Sequence, residues 1–209
     1  TIGLFFIYIF RKKLSNNKKN SFLYGWFFGI GYFLTNLYWI SISLTFDENF
    51  SFLIPVTLIL IPSFLGIFYG LATYFFFIIN IKKPISNLFL FSLLFGLTEF
   101  LRGNIFTGFP WNLIAFSFSE NLEILQILSF IGTYGFNILC ISFFASPAIF
   151  ILRENKKEIF ICIVYLLSPI FLFSFGSNNI ELFKSSNIVK NDYVIRVIGS
   201  NISLDRFYG

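Results

Sequence analysis

FSFLIPVTLILIPSFLGIFYGLATYFFFIINI, residues 50–81, contains no charged side chain. About 20 apolar residues at 1.5 Å each cross the roughly 30 Å hydrocarbon core of a bilayer, and this run exceeds that length. In lipid every backbone N–H and C=O must find a partner within the protein, so the run is expected to be a helix. Pro55 and Pro62 fall inside it and should bend it, with neighbouring groups satisfying the carbonyls they free.

Working outward, apolar runs bounded by charge recur along the chain. They predict spans at 22–46, 50–81, 85–101, 124–152 and 159–176, preceded by a stretch at 2–10 too short to cross. The expected fold class is an all-α polytopic membrane helix bundle of five full spans plus one truncated one. Composition agrees. Hydrophobic residues make up 56% of the chain and charged residues 12%, where a soluble domain carries about 25% charged. The chain contains no Met and begins at Thr1, which leads us to expect a missing upstream piece. The 34 Phe fit an AT-rich coding sequence and carry no functional message.

Connections between spans alternate in charge. Arg11, Lys12, Lys13, Lys18 and Lys19 precede the first full span, Lys82 and Lys83 follow the second, and Arg153, Lys156 and Lys157 follow the fourth. The other connections hold Asp47 and Glu48, then Arg102, Glu120 and Glu123. The positive-inside rule puts the basic connections in the cytoplasm, and the 102–123 loop and everything beyond Gly176 outside. This distribution accounts for most of the net charge of +5, so nucleic acid is not an expected partner; the lipid bilayer is. Gly25-x-x-x-Gly29 and Gly66-x-x-x-Gly70 allow close helix approach and read as packing within a monomer rather than a dimer seam. Trp26 and Trp39, with Tyr24 and Tyr38, suit interfacial belts. Asn36 and Asn137 read as interhelical hydrogen-bonding residues.

The absence of His removes His-dependent triads and His metal sites. Cys140 and Cys162 lie in apolar runs and read as small core residues. No cofactor is implied. Residues 177–192 are polar and read as a linker. Tyr193–Ile198 is β-rich and fits a short strand, too little to be stable alone.

Chemistry concentrates in Thr98-Glu-Phe-Leu-Arg-Gly-Asn-Ile-Phe-Thr-Gly-Phe-Pro-Trp111. Glu99 and Arg102 are spaced i,i+3 and share a helix face, which makes a pair near lipid less costly. Gly103 should end the helix. Gly108 permits positive φ, and Pro110 pushes Phe109 out of helix. The pattern fits a helix-end ion pair with an aromatic anchor. The alternative is a site at the outer leaflet in which Glu99, Arg102, Thr107, Gly108, Phe109, Pro110 and Trp111 meet a phosphate or a lipid tail.

The runs TEFLRG (98–103), FTGFPW (106–111) and IGTYGFNIL (131–139) together resemble the membrane domain of bacterial apolipoprotein N-acyltransferase. GWFFGIGYFLTNLYWISISL (25–44) is similar to that family's third span, and YVIRVIGSNISLDRFY (193–208) to the opening of its nitrilase-like domain. The resemblance implies eight spans around a periplasmic nitrilase-like α/β sandwich, whose first β-strand would begin at residue 193 while the rest of that domain is absent. It implies the bacterial inner membrane and transfer of a fatty acyl group from a phospholipid to the N-terminal diacylglyceryl-cysteine of a lipoprotein. It also implies a Cys thioester formed with help from a Glu base and a Lys at the oxyanion. All three family residues would lie beyond Gly209, so no catalytic residue is expected in this chain, and the piece alone should be inactive. Phe207 and Tyr208 stand where the family often has a Trp. The competing readings are a small transporter or scaffold without enzymatic activity, and another nitrilase-like membrane amidase or acyltransferase.

Overall fold

The computed structural model of the chain describes residues 1–15, 20–79, 81–106, 108–186 and 196. Among these residues every regular element is helical: α1 (Ile2–Leu14), α2 (Ser21–Leu37), α3 (Ile54–Ile78), α4 (Pro84–Asn104), α5 (Leu122–Leu125), α6 (Leu128–Ala145), α7 (Ile149–Leu152) and α8 (Lys156–Ser185). Short 3₁₀ segments at Tyr38–Thr45 and Glu48–Leu53 extend α2 and α3. Five helical stretches are long and apolar enough to cross a membrane: Ser21–Thr45, Glu48–Ile78, Pro84–Asn104, Leu128–Leu152 and Lys156–Ser185. They coincide with the five expected full spans, and the chain is a multi-pass membrane protein.

The element boundaries depart from expectation in four places. α1 does not stop at Phe10 but continues through Arg11, Lys12 and Lys13, cations that favour the negative end of a helix dipole. Phe6, Ile9 and Phe10 are buried as α1 packs on α4, α6 and the 3₁₀ turn at Ser146–Ala148. The fourth full span is not one helix. Gly132 sits at φ 65°, ψ 174° inside α6, and the Ser146–Ala148 turn separates α6 from α7. Glycine tolerates that dihedral, and Pro147 lacks the N–H an α-helix would need there. The last span does not give way to a linker at 177, because α8 runs on to Ser185. Ser177, Asn178 and Asn179 are too polar for hydrocarbon, yet their backbone still pairs helically. Finally, α4 ends at Asn104 rather than at Gly103. The remainder of the expected linker, 187–192, lies outside the described residues, as does the expected strand at 193–198 apart from Arg196.

α2 and α3 form the most extensive helix pair. A Cβ on Gly25 would lie 2.1 Å from the Tyr69 carbonyl oxygen, and one on Gly29 2.8 Å from Gly66 Cα. The two glycine pairs therefore face each other within one chain. Trp26 adds an indole N–H bond to the Ser63 carbonyl across the same seam (2.8 Å). The core behind it is largely aromatic. Phe5 stacks on Phe28 with centroids 3.9 Å apart, and Phe91 lies 4.4 Å from Phe95. Cys140 and Cys162 are both buried, and the Cys162 thiol donates to the Ser146 carbonyl (3.1 Å).

Candidate functional site

The last turn of α4 carries two charges into the bundle. Glu99 and Arg102 are 0% and 2% exposed. Arg102 Nε donates to Glu99 Oε2 at 3.1 Å, and Nη2 closes a second contact to the same oxygen. The other carboxylate oxygen, Oε1, accepts the phenol of Tyr69 from α3 at 2.5 Å. Arg102 Nη1 reaches the opposite way, donating to the carbonyls of Phe109 (2.7 Å) and Trp111 (2.8 Å). The guanidinium also lies 5.0 Å from the Phe33 ring centroid. Its planar fork thus ties one carboxylate to two carbonyls of the loop that follows.

The loop folds as its residue types dictate. Gly108 takes φ 76°, and a Cβ there would come 2.6 Å from the Gly103 carbonyl oxygen. Phe109 N–H closes the turn on Arg102 O at 2.9 Å. Asn112 also lies in the left-handed region, at φ 60°, a conformation Asn adopts more readily than most residues. Its carbonyl accepts the Tyr32 hydroxyl at 2.9 Å. The chain then turns inward. Leu113, Ile114 and Ala115 are buried, and Ala115 N–H donates to Asn137 Oδ1 of α6 at 3.0 Å. Asn137 thus joins α6 to the short 3₁₀ helix Ile114–Phe118 rather than to another of the five long helical stretches. Asn36 bonds within its own helix, to the Tyr32 carbonyl (2.7 Å).

Of the residues the sequence singled out, the structure gathers Glu99, Arg102, Gly108, Phe109, Pro110 and Trp111 at one end of α4, while Thr107 lies outside the described residues. Arg102 is not presented to the surroundings as a free cation: four of its contacts are spent inside the protein. The exposed element is the aromatic tip. Trp111 is 53% exposed and packs 5.7 Å from Trp39. Two cavities flank it. One of about 190 Å³ is lined by Phe64, Phe68, Arg102, Phe106 and Phe109 among others. The other, of about 300 Å³, is lined by Pro110, Trp111, Leu113, Phe116, Thr133 and Tyr134. Both have mostly apolar walls, suited to hydrocarbon rather than to a charged group.

Sequence reading missed Tyr69 and Tyr32. The available signal was a tyrosine in the middle of an apolar run, since a buried phenol needs a partner. Tyr69→Phe is expected to destabilise the bundle by about 1.5–3 kcal/mol, the range for a hydrogen bond to a charged group. Thermal unfolding in detergent measures this, and a midpoint equal to that of the parent would show that the phenol–carboxylate bond contributes nothing.

Comparison with known proteins gives one consistent result. The family model described as the apolipoprotein N-acyltransferase N-terminal domain matches residues 1–146. The chain is 38% identical over 130 residues to the apolipoprotein N-acyltransferase of Rhodopseudomonas palustris, covering 61% of this chain and 24% of that protein. It is 36% identical over 126 residues to the protein of the same name from Brucella melitensis, covering 60% and 24%. With that from Allorhizobium ampelinum it shares 31% over 144 residues, covering 68% and 27%. The chain thus spans about a quarter of the length of the curated relatives it matches. No solved structure matches it.

Proposed function

The chain belongs to the apolipoprotein N-acyltransferase N-terminal domain family, and from that premise we propose that it is the membrane part of a phospholipid:apolipoprotein N-acyltransferase. The complete enzyme would transfer a fatty acyl group from a membrane phospholipid to the N-terminal diacylglyceryl-cysteine of a lipoprotein, in the bacterial inner membrane. The basic connections would face the cytoplasm, and the Trp111 loop and the C-terminal end the periplasm. The Glu, Lys and Cys of the acyl-transfer chemistry would belong to a nitrilase-like domain beyond this chain, which by itself would turn nothing over.

The observation that carries this reading is the braced loop at the outer end of α4. Acyl donor and acceptor both live in a bilayer, so a catalytic domain needs a rigid element at the membrane surface that fixes where hydrocarbon chains lie. Holding reactants in place supplies several kcal/mol of barrier reduction, and a small misplacement can cost about 100-fold in rate. Arg102 fixes the loop backbone through two carbonyls, and the loop sets Phe109 and Trp111 beside two apolar cavities. In this role Glu99, Arg102, Thr107, Gly108, Phe109, Pro110 and Trp111 form a lipid platform. Arg102 is its brace rather than a phosphate ligand.

Trp111→Ala in the complete enzyme tests this directly. The side chain is half exposed and its carbonyl remains for Arg102, so insertion and thermal stability should stay close to those of the parent. Turnover of phospholipid to N-acylated lipoprotein should fall roughly 10- to 100-fold. Unchanged turnover would remove the platform from the account.

A further inference from the structure

The opposite end of α4 carries a second constellation, unrelated to the Trp111 loop. Twenty-one helical residues separate the two ends, roughly 30 Å at 1.5 Å per residue. There a cavity of about 620 Å³ opens between the connection leading into α4 and the one leading into α8. Its walls are Lys83, Ile85, Ser86, Glu154, Asn155, Lys156, Lys157 and Glu158.

Three features give this cavity a preference for anions. It holds three ammonium groups, and none of them is in a salt bridge with a described residue, the ion pair among those residues being Glu99 with Arg102. Its walls also hold two carboxylates, against three ammonium groups. Glu158 is 8% exposed and accepts the Glu154 backbone N–H at 2.8 Å, turned into its own connection, while Glu154 is exposed, as are Lys83, Lys156 and Lys157. The neighbouring Arg153 is held by the Phe150 carbonyl (2.7 Å), and Lys82 lies exposed beside Lys83. Lastly, two long helices begin at the cavity, α4 at Pro84 and α8 at Lys156, and neither N-terminus has a side-chain cap. The partial positive charge at the start of α4, whose first turn holds no acidic residue, therefore adds to that of the lysines, while the first turn of α8 already carries Glu158.

We propose that this cavity binds the phosphodiester of an anionic phospholipid head group in the leaflet on the basic face of the protein. The shared chemistry is that of any phosphate. A lipid is favoured because both helices that open at the cavity cross the membrane, which places their first turns at head-group level. Below the cavity, α4 and α8 present Phe89, Phe160, Ile163 and Val164, all exposed apolar side chains, against which acyl tails would lie. Phe89 meets Tyr165 across the helix pair at 6.0 Å. Basic pockets between membrane helices hold such head groups by this combination of charge and flanking hydrocarbon. The site is independent of the acyl-transfer reading and holds for any multi-pass protein with this geometry.

The test uses the full chain in detergent, titrated with phosphatidylglycerol or phosphatidylcholine, with bound lipid read by native mass spectrometry. Phosphatidylglycerol should be retained in preference to phosphatidylcholine. Each of Lys83→Gln, Lys156→Gln and Lys157→Gln should weaken it roughly fivefold, and the triple variant on the order of 100-fold. The single variants keep the measurement decisive if the triple variant does not fold. Arg11→Gln with Lys12→Gln, which removes two cations from the same face outside the cavity, should leave retention unchanged. Equal retention of the two lipids, or an equal loss per charge in the Arg11/Lys12 variant, would overturn the site. Inorganic phosphate that displaces the lipid completely at matched concentration would show a free-anion site and overturn the lipid assignment.

Discussion

Arg102→Ala is expected to destabilise the bundle by about 3–5 kcal/mol, the range for removing one partner of a buried ion pair. The size of the effect follows from what is left behind. Glu99 would keep its buried carboxylate with only the Tyr69 phenol as donor. The part-buried carbonyls of Phe109 and Trp111 would each lose the donor that now reaches them. Thermal unfolding in detergent gives the stability, and limited proteolysis across 105–112 gives the order of the loop. Arg102→Lys should be intermediate, because an ammonium keeps the charge but cannot span carboxylate and carbonyls with a planar fork. The combined Glu99→Leu and Arg102→Met variant separates two roles. Apolar replacement of both partners should restore much of the stability, yet the loop should remain open to protease because nothing holds its carbonyls. Protection of the loop in that variant would show that Arg102 is not its brace.

Gly25→Ala should be the other severe substitution. Its new methyl would sit 2.1 Å from the Tyr69 carbonyl oxygen and 2.2 Å from Thr73 Oγ1. The nearest obstacle is backbone, so α2 and α3 must separate rather than a side chain rotate. Overpacking of this kind costs about 1–3 kcal/mol and occasionally more. Here the displaced residue is Tyr69, so the phenol that supports Glu99 should shift as well, and proteolysis of the distant loop should rise with it. Gly31→Ala is the matched control on the same helix. Nothing lies within 4 Å of a Cβ there, and replacing a helical glycine by alanine stabilises by about 0.5–1 kcal/mol. Equal unfolding temperatures for the two variants would mean that the α2–α3 seam is looser than its geometry indicates.

These two expectations join parts of the molecule that one-dimensional reading kept apart. The Glu99–Arg102 pair could be read from its i,i+3 spacing, and the turn at Gly108 from its residue type, because both depend on neighbours a few residues away. Tyr69 could not be assigned to Glu99, since thirty positions of chain separate them and only the packing of α3 on α4 brings them together. The inward turn at Leu113–Ala115 was hidden for the same reason. A stretch between two spans reads as an external connection until Asn137 is found to accept its backbone N–H. Boundaries slipped where local chemistry tolerates either state, as in α1 beyond Phe10 and α8 beyond Gly176.

By itself the sequence determined that this chain crosses a bilayer several times as helices, because the length of uncharged runs and the alternation of charge between them are properties of the chain in lipid and need no knowledge of packing. It also determined where the chemically unusual segment lies. Only the tertiary structure decided what Arg102 does. Whether a buried cation meets a ligand or is consumed inside the protein depends on which carbonyls and carboxylates surround it, and here those come from α4 and from a loop folded back onto it, an arrangement no single stretch of sequence displays.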